Sequence, residues 1–242
     1  MTCEEILSAL RELSSEKYKS NVVKLGIPEK NNIGVSTADI RMLAKKLGKS
    51  PQLADELWNT GYHEAKLLAV LLFDKKTVDL DKAEKLMMDV QSWDLCDHLC
   101  KNLILKVKGY ETLIEKWCGN ERLYYKRAAY TLIASSVVHE KIIGEEKTNI
   151  YLELIKNYSD DEREHVKKAI SWALREIGKR DFTCQDKAVF LAYELKKAGT
   201  KAQAWIARDA LKELEKLVKV DGRGRLISSD SQMGSLVWRS PE

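Results

Sequence analysis

The stretch SDDEREHVKKAISWALREIGKR, residues 159–180, carries apolar side chains at Val166, Ile170, Ala173, Leu174 and Ile177. Steps of three and four put them on one side of a helix that turns about 100° per residue. Ser159 with Glu162 reads as the box that opens this helix. Acids crowd its start and bases its end, as the helix dipole favours. One buried stripe on a helix is therefore the expectation.

The same grammar extends in both directions. Thr2 with Glu5 forms a capping box, and Gly26 closes the first two helices. GIPEKNNIGV (26–35) is the clearest loop. Ser36 caps STADIRMLAKKLG, which stops at Gly48; Ser50 and Pro51 open SPQLADELWNTG, which stops at Gly61. HEAKLLAVLLF, DLDKAEKLMMDV, the helix holding QSWDLCD (91–97), GYETLIEKWCG and the long NERLYYKRAAYTLIASSVV follow. Two more helices are expected near 183–199 and 200–219. No period-two run is long enough for a strand. Helix pairs recurring every roughly 35 to 40 residues have the spacing of HEAT-like repeats, which stack into a solenoid with a concave face. A compact helical bundle is the competing architecture. Residues 1–219 read as one domain. DGRGRLISSDSQMGSLVWRSPE, from about 220 to 242, breaks the pattern and reads as a flexible C-terminal tail whose RGR is a candidate for a nucleic-acid groove.

Composition narrows the class. Only 3 prolines and 12 glycines occur in 242 residues, too few breakers for a many-turned sheet. No run of about 18 apolar residues exists, so no transmembrane helix and no membrane partner are expected. The acidic, amphipathic start MTCEEILSALREL has none of the parts of a secretion signal. Five scattered cysteines favour a reducing, cytoplasmic compartment. Cys96 and Cys100, four apart, lack a second pair at zinc spacing and fall on an apolar helix face, so they read as buried thiols. With four isolated histidines, no metal site, cofactor or Cys–His nucleophile is expected. A net charge of +4 is compatible with nucleic acid without demanding it.

Three features depart from packing logic. Trp172 points away from the stripe of its own helix, in a row with Lys168, Arg175 and Lys179. Either it packs on a neighbouring repeat or it belongs to a ligand surface. Trp93 and Asp97, one turn apart, sit where the apolar face of Leu95, Cys96, Leu99 and Cys100 meets the polar side, and Lys101 continues their row. An ordinary core tryptophan beside helix-start charges gives the same pattern. Arg127 stands among small and apolar neighbours in YYKRAAYTLIASS, where it needs an internal carboxylate or a phosphate.

These residues together resemble the DNA alkylation repair family of HEAT-like repeat glycosylases, the AlkD type. GVSTADIRMLAKKLG, SWDLCD, KRAA and VKKAISWALREIGKR carry the likeness, in that order, over most of residues 20 to 215. The resemblance implies an all-α, HEAT-like repeat solenoid of antiparallel helix pairs with a concave DNA-binding face. It implies hydrolysis of the N-glycosidic bond of N3- or N7-alkylated purines in duplex DNA, without cofactor, by a monomer. Carried over position by position, Asp97 matches the carboxylate implicated in base excision, and Trp93 and Trp172 match tryptophans flanking the lesion. Arg127 and Arg175 match arginines on the DNA backbone, with Lys168, Lys101 and Lys179 as further DNA-binding candidates. Ser92 stands where members can carry another aromatic, and Tyr18 is the candidate for an N-terminal tyrosine near the lesion. Relatives of this fold include DNA binders that excise nothing. A non-catalytic module for branched or bent DNA is therefore the alternative, and a protein-interaction scaffold is a third class.

Overall fold

A computed structural model describes residues 1–237. It contains thirteen α-helices: α1 Cys3–Glu12, α2 Glu16–Lys24, α3 Thr37–Leu47, α4 Pro51–Asn59, α5 His63–Leu72, α6 Leu80–Met88, α7 Trp93–Asn102, α8 Glu111–Cys118, α9 Leu123–His139, α10 Glu145–Tyr158, α11 Glu164–Gly178, α12 Phe182–Ala198 and α13 Lys201–Leu214. The chain clusters into two compact units, Met1–Leu113 and a second beginning at Ile114, with the boundary inside α8.

Local chemistry sets several helix ends. The Thr2 backbone N–H donates to Glu5 Oε2 at 2.8 Å and Glu5 N–H donates to Thr2 Oγ1 at 3.2 Å, a reciprocal cap. Ser36 Oγ accepts from the Asp39 amide at 3.2 Å, and Pro51 occupies the first turn of α4. Within the first unit α5 packs on α3, α4 and α7. Ile6, Leu10, Leu57, Leu68, Leu72 and Leu99 are fully buried there. Each such side chain stabilises by about 1.5–3 kcal/mol.

In the second unit α11 is the centre, touching α9, α10, α12 and α13. Val166, Ile170, Ala173, Leu174 and Ile177, the stripe expected from sequence, are buried to within 1%. Buried positions run almost without a break from Tyr125 to Val137, so α9 is a core helix with no solvent stripe. The two-residue turn 199–200 returns the chain so that α13 packs back on α12.

Three boundaries differ from the sequence reading. First, α11 begins at Glu164. Residues 160–163 form a turn in which the Asp161 carboxylate accepts from the Arg163 amide at 3.0 Å and from its guanidinium at 2.9 and 2.6 Å. Lys126 pairs with the same carboxylate at 3.2 Å, and Ser159 ends α10 instead of opening α11. Second, α10 occupies a segment in which the sequence reading named no element. Third, α13 ends at Leu214, because Leu217 and Val218 pair antiparallel with Ser228 and Ile227 as strands β1 (Leu217–Val218) and β2 (Ile227–Ser228).

The segment read as a tail from 220 therefore carries contacts of its own. The Leu226 amide donates to the Lys179 carbonyl at 2.8 Å, Arg225 donates to the Glu176 carbonyl at 2.7 Å, and Leu226 is 2% exposed. Residues 238–242 lie outside the described residues. No helix among those described is long and apolar enough to cross a membrane.

Candidate nucleic-acid interface

The first unit presents α7. Ser92 is its N-cap in extended backbone conformation, but the Ser92 side chain makes no cap hydrogen bond. Asp94 supplies the first-turn charge: Oδ1 accepts from the Leu95 amide at 2.8 Å, and Oδ2 meets His63 Nε2 at 2.8 Å. Burial alone would raise the Asp94 carboxyl, but the His63 contact, the Ser92 hydroxyl and the Leu95 amide outweigh it and hold it below its ordinary range. An ionised carboxylate only accepts, so His63 Nε2 carries the proton.

Leu95, Cys96, Leu99 and Cys100 are buried, and the two cysteines are free thiols. His98 is also buried, its Nε2 3.0 Å from the Leu67 carbonyl oxygen; burial pushes its pKa down to about 4, so it is neutral and structural at pH 7. Trp93 and Asp97 lie four residues apart and are both partly buried, while Lys101 is exposed. The Trp93 indole N–H donates to the Leu25 carbonyl at 3.0 Å, which ties the ring to the end of α2.

The loop that follows Leu25 is held by a residue the sequence reading passed over. Glu64, 1% exposed, sits in the apolar run HEAKLLAVLLF. Its carboxylate accepts from three successive amides of the 26–35 loop: Ile33 at 2.9 Å, Gly34 at 2.6 Å and Val35 at 3.2 Å. The only sequence signal was an acid placed among aliphatics.

The second unit presents α11. Trp172 is partly buried on it, between Lys168 and Arg175 along the helix. Lys168 is exposed and pairs one turn back with Glu164 at 3.0 Å. Arg127, 7% exposed, donates from Nη1 to the His165 carbonyl at 2.7 Å and so joins α9 to the first turn of α11. That backbone carbonyl was neither of the partners weighed from sequence.

Arg175 and Lys179 enter an acidic network. Arg175 Nη1 meets Asp209 at 2.6 Å and Nε meets Glu213 at 3.2 Å; Lys179 meets Glu213 at 2.7 Å and Glu176 at 3.2 Å. Glu176 also holds Arg225 at 2.8 Å. Burial would raise the Glu176 carboxyl, but Lys179 and Arg225 hold it below its ordinary range. The three carboxylates come from α11 and α13, and sequence reasoning placed none of them in the site. One signal was available: AWIARD (204–209) repeats the tryptophan-to-aspartate spacing of Trp93 and Asp97 at Trp205 and Asp209. Lys167 Nζ stands 5.1 Å from the centre of the Trp205 ring.

Two groupings thus emerge, each on its own unit: Trp93, Asp97 and Lys101 on α7, and Arg127, Lys168, Trp172, Arg175 and Lys179 on and beside α11. No cluster of three or more His, Cys, Asp or Glu side chains placed to hold a metal occurs among the described residues.

Paired antiparallel helices carrying aromatic and basic residues at their margins define an α-helical repeat protein. The profile of DNA alkylation repair enzymes matches residues 6–214, and the chain belongs to that family. The fold is also that of a solved protein described as one of a new family related to the HEAT-like repeat DNA glycosylases with affinity for branched DNA structures. The two agree with a TM-score of 0.73 over 98% of this chain and 94% of that one, at 18% identity, so the HEAT-like fold expected from sequence is present. No curated protein sequence matches the chain.

Proposed function

We propose that the protein binds duplex DNA and excises cationic N3- or N7-alkylpurines by hydrolysis of the N-glycosidic bond. The observation that carries this reading is the Trp93–Asp97 pair, with the Trp93 indole held by the Leu25 carbonyl at the margin of core and solvent on α7. An alkylated purine of this kind is already positively charged and leaves without prior protonation. The bond breaks with its electron pair going to the purine nitrogen, and positive charge develops on the deoxyribose. Asp97 stabilises that charge and orients a water whose oxygen bonds to C1′; the proton the water loses passes to the carboxylate and then to solvent. Trp93 and Trp172 offer ring faces to a cationic base and an electron-poor sugar, worth about 0.5–2 kcal/mol each. Arg127 and Arg175 hold phosphates, with Lys101, Lys168 and Lys179 adding charge. The protein acts as a monomer and needs no cofactor.

A second reading has its own support. The solved protein sharing this fold is described by affinity for branched DNA. On that reading the chain binds branched or bent DNA and excises nothing.

Release of free base from duplex DNA containing 7-methylguanine separates the two. Wild type is expected to release base. Asp97→Asn is expected to release it at least about 10²-fold more slowly while duplex affinity stays close to wild type. Salt-sensitive binding with no release by wild type, and a preference for a four-way junction over linear duplex, would establish the second reading and remove the first.

A further inference from the structure

The first unit contains a cleft of about 240 Å³ beside the opening turn of α7. Lys30 and Asn31 of the 26–35 loop, His63 and Lys66 of α5, and Gln91 and Ser92 ahead of α7 line it, with Asp89 as its acid. Drug-sized ligands occupy pockets of about 300–1,000 Å³, so this one suits a single polar group better than a whole nucleotide.

Its chemistry is unfinished on the cationic side. Lys66 is partly buried, and among the described residues its ammonium has two weak contacts: the Asp89 backbone carbonyl at 3.3 Å and the face of Trp58, 5.0 Å from the ring centre. The Asp89 carboxylate accepts from the Trp58 indole N–H at 2.9 Å and acts on Lys66 through its charge. Burial pushes the Lys66 pKa down, with the Asp89 charge only partly opposing it. An ammonium in that position gains from an added anion more than a solvated one does. Beside it, the Ser92 hydroxyl is buried and interacts with the Asp94 carboxylate. The far wall is fixed: Asn31 has φ +62°, in the left-handed region, and its carbonyl accepts from the His63 amide at 2.9 Å. His63 is in turn locked to Asp94. A rigid wall, a buried hydroxyl and a weakly partnered lysine describe a seat for a tetrahedral anion.

We infer that this cleft binds a phosphate group, specifically a phosphodiester of the DNA backbone seated on Lys66 and steered by Lys30, about one helical turn along α7 from Asp97. The assignment rests on the DNA-binding reading above and adds to it a backbone contact on the first unit, where the earlier candidates supplied only Lys101.

Duplex affinity measured across a salt series, for wild type, Lys66→Gln and Lys30→Gln, tests it. Loss of one phosphate contact is expected to make the slope of log Kobs against log[salt] shallower by about 0.9 and to weaken binding roughly eight-fold at 0.1 M salt. The weakening is expected to be alike for unrelated duplex sequences. Lys30 is exposed, so its variant tests the site without risk to folding, and circular dichroism verifies the Lys66 variant. Wild-type slopes in both folded variants would overturn the inference while leaving DNA binding intact. No salt-dependent duplex binding by wild type would overturn both. Thermal stabilisation of wild type but not Lys66→Gln by inorganic phosphate, with unchanged DNA slopes, would assign the seat to a free phosphate and also overturn the backbone assignment.

Discussion

Replacing Glu64 by alanine should cost the first unit a large part of its stability. The carboxylate serves three amide donors, at Ile33, Gly34 and Val35, and is 1% exposed. Hydrogen bonds to a charged group contribute about 1.5–3 kcal/mol each, and an orphaned buried donor costs about 1–3 kcal/mol. Ile33 is only partly buried and can turn to water, whereas Gly34 and Val35 are buried. Counting those two gives about 3–6 kcal/mol, against about 5–15 kcal/mol for a whole domain. At about 2–4 °C per kcal/mol the melting temperature should fall by about 6–24 °C. Urea unfolding followed by tryptophan fluorescence measures this directly, because the loop the amides belong to adjoins the Leu25 carbonyl that holds Trp93. Glu64→Gln keeps one acceptor oxygen and should fall between wild type and alanine. A loss below about 1 kcal/mol for alanine, or a glutamine variant no better than alanine, would refute the assignment of these three bonds as the anchor of the loop.

Other expectations are as direct. Burial alone would raise the Asp161 carboxyl, but Arg163 and Lys126 outweigh it and hold it at about 2, below its ordinary 3.8. A depressed carboxyl stabilises the fold above its unfolded pKa and loses that contribution as pH falls through the folded one. Between pH 4 and 2, wild type should therefore lose stability that Asp161→Asn does not lose, as acid titration by circular dichroism would record. Asp209→Asn removes a charge 2.6 Å from Arg175 and should raise duplex affinity about three-fold if Arg175 holds phosphate; weaker binding would mean that Asp209 positions Arg175 instead. A Cβ on Gly178 would overlap the buried side chain of Leu214 and crowd Ala188 at 3.3 Å. Gly178→Ala should thus destabilise the packing of α11 on α12 and α13 by about 1–3 kcal/mol in chemical denaturation.

What the sequence made legible was local. The Thr2–Glu5 box, the Ser36 cap and Pro51 at the start of α4 could be read because each is settled within four residues. The start of α11 could not: Asp161 draws Lys126 from α9, and that pairing holds residues 160–163 in a turn where their own composition favours helix. Trp93 at the edge of the α7 core was visible from periodicity alone. Its anchor was not, because the Leu25 carbonyl lies 68 residues earlier, and no window of helix geometry reports that. The repeated spacing at Trp205 and Asp209 makes the same point. Two identical local patterns have different surroundings, and only the fold brings Arg175, 34 residues before Asp209, against the second.

The Arg225–Leu226 contact with the end of α11 has a consequence for the order in which the protein is made. Residues 1–113 have their own core and can fold while the ribosome is still translating the rest. The last turn of α11 obtains its partners for the Glu176 and Lys179 carbonyls only after residues 225 and 226 have left the exit tunnel, well beyond the 6–214 span that defines the family. A chain stopped by a premature codon near 220 would carry every residue of both candidate groupings, yet its α11 would end in frayed carbonyls and its Glu176 would lack Arg225. Until that stretch is in place the second unit lacks these two contacts, and the end of α11 is the more easily opened.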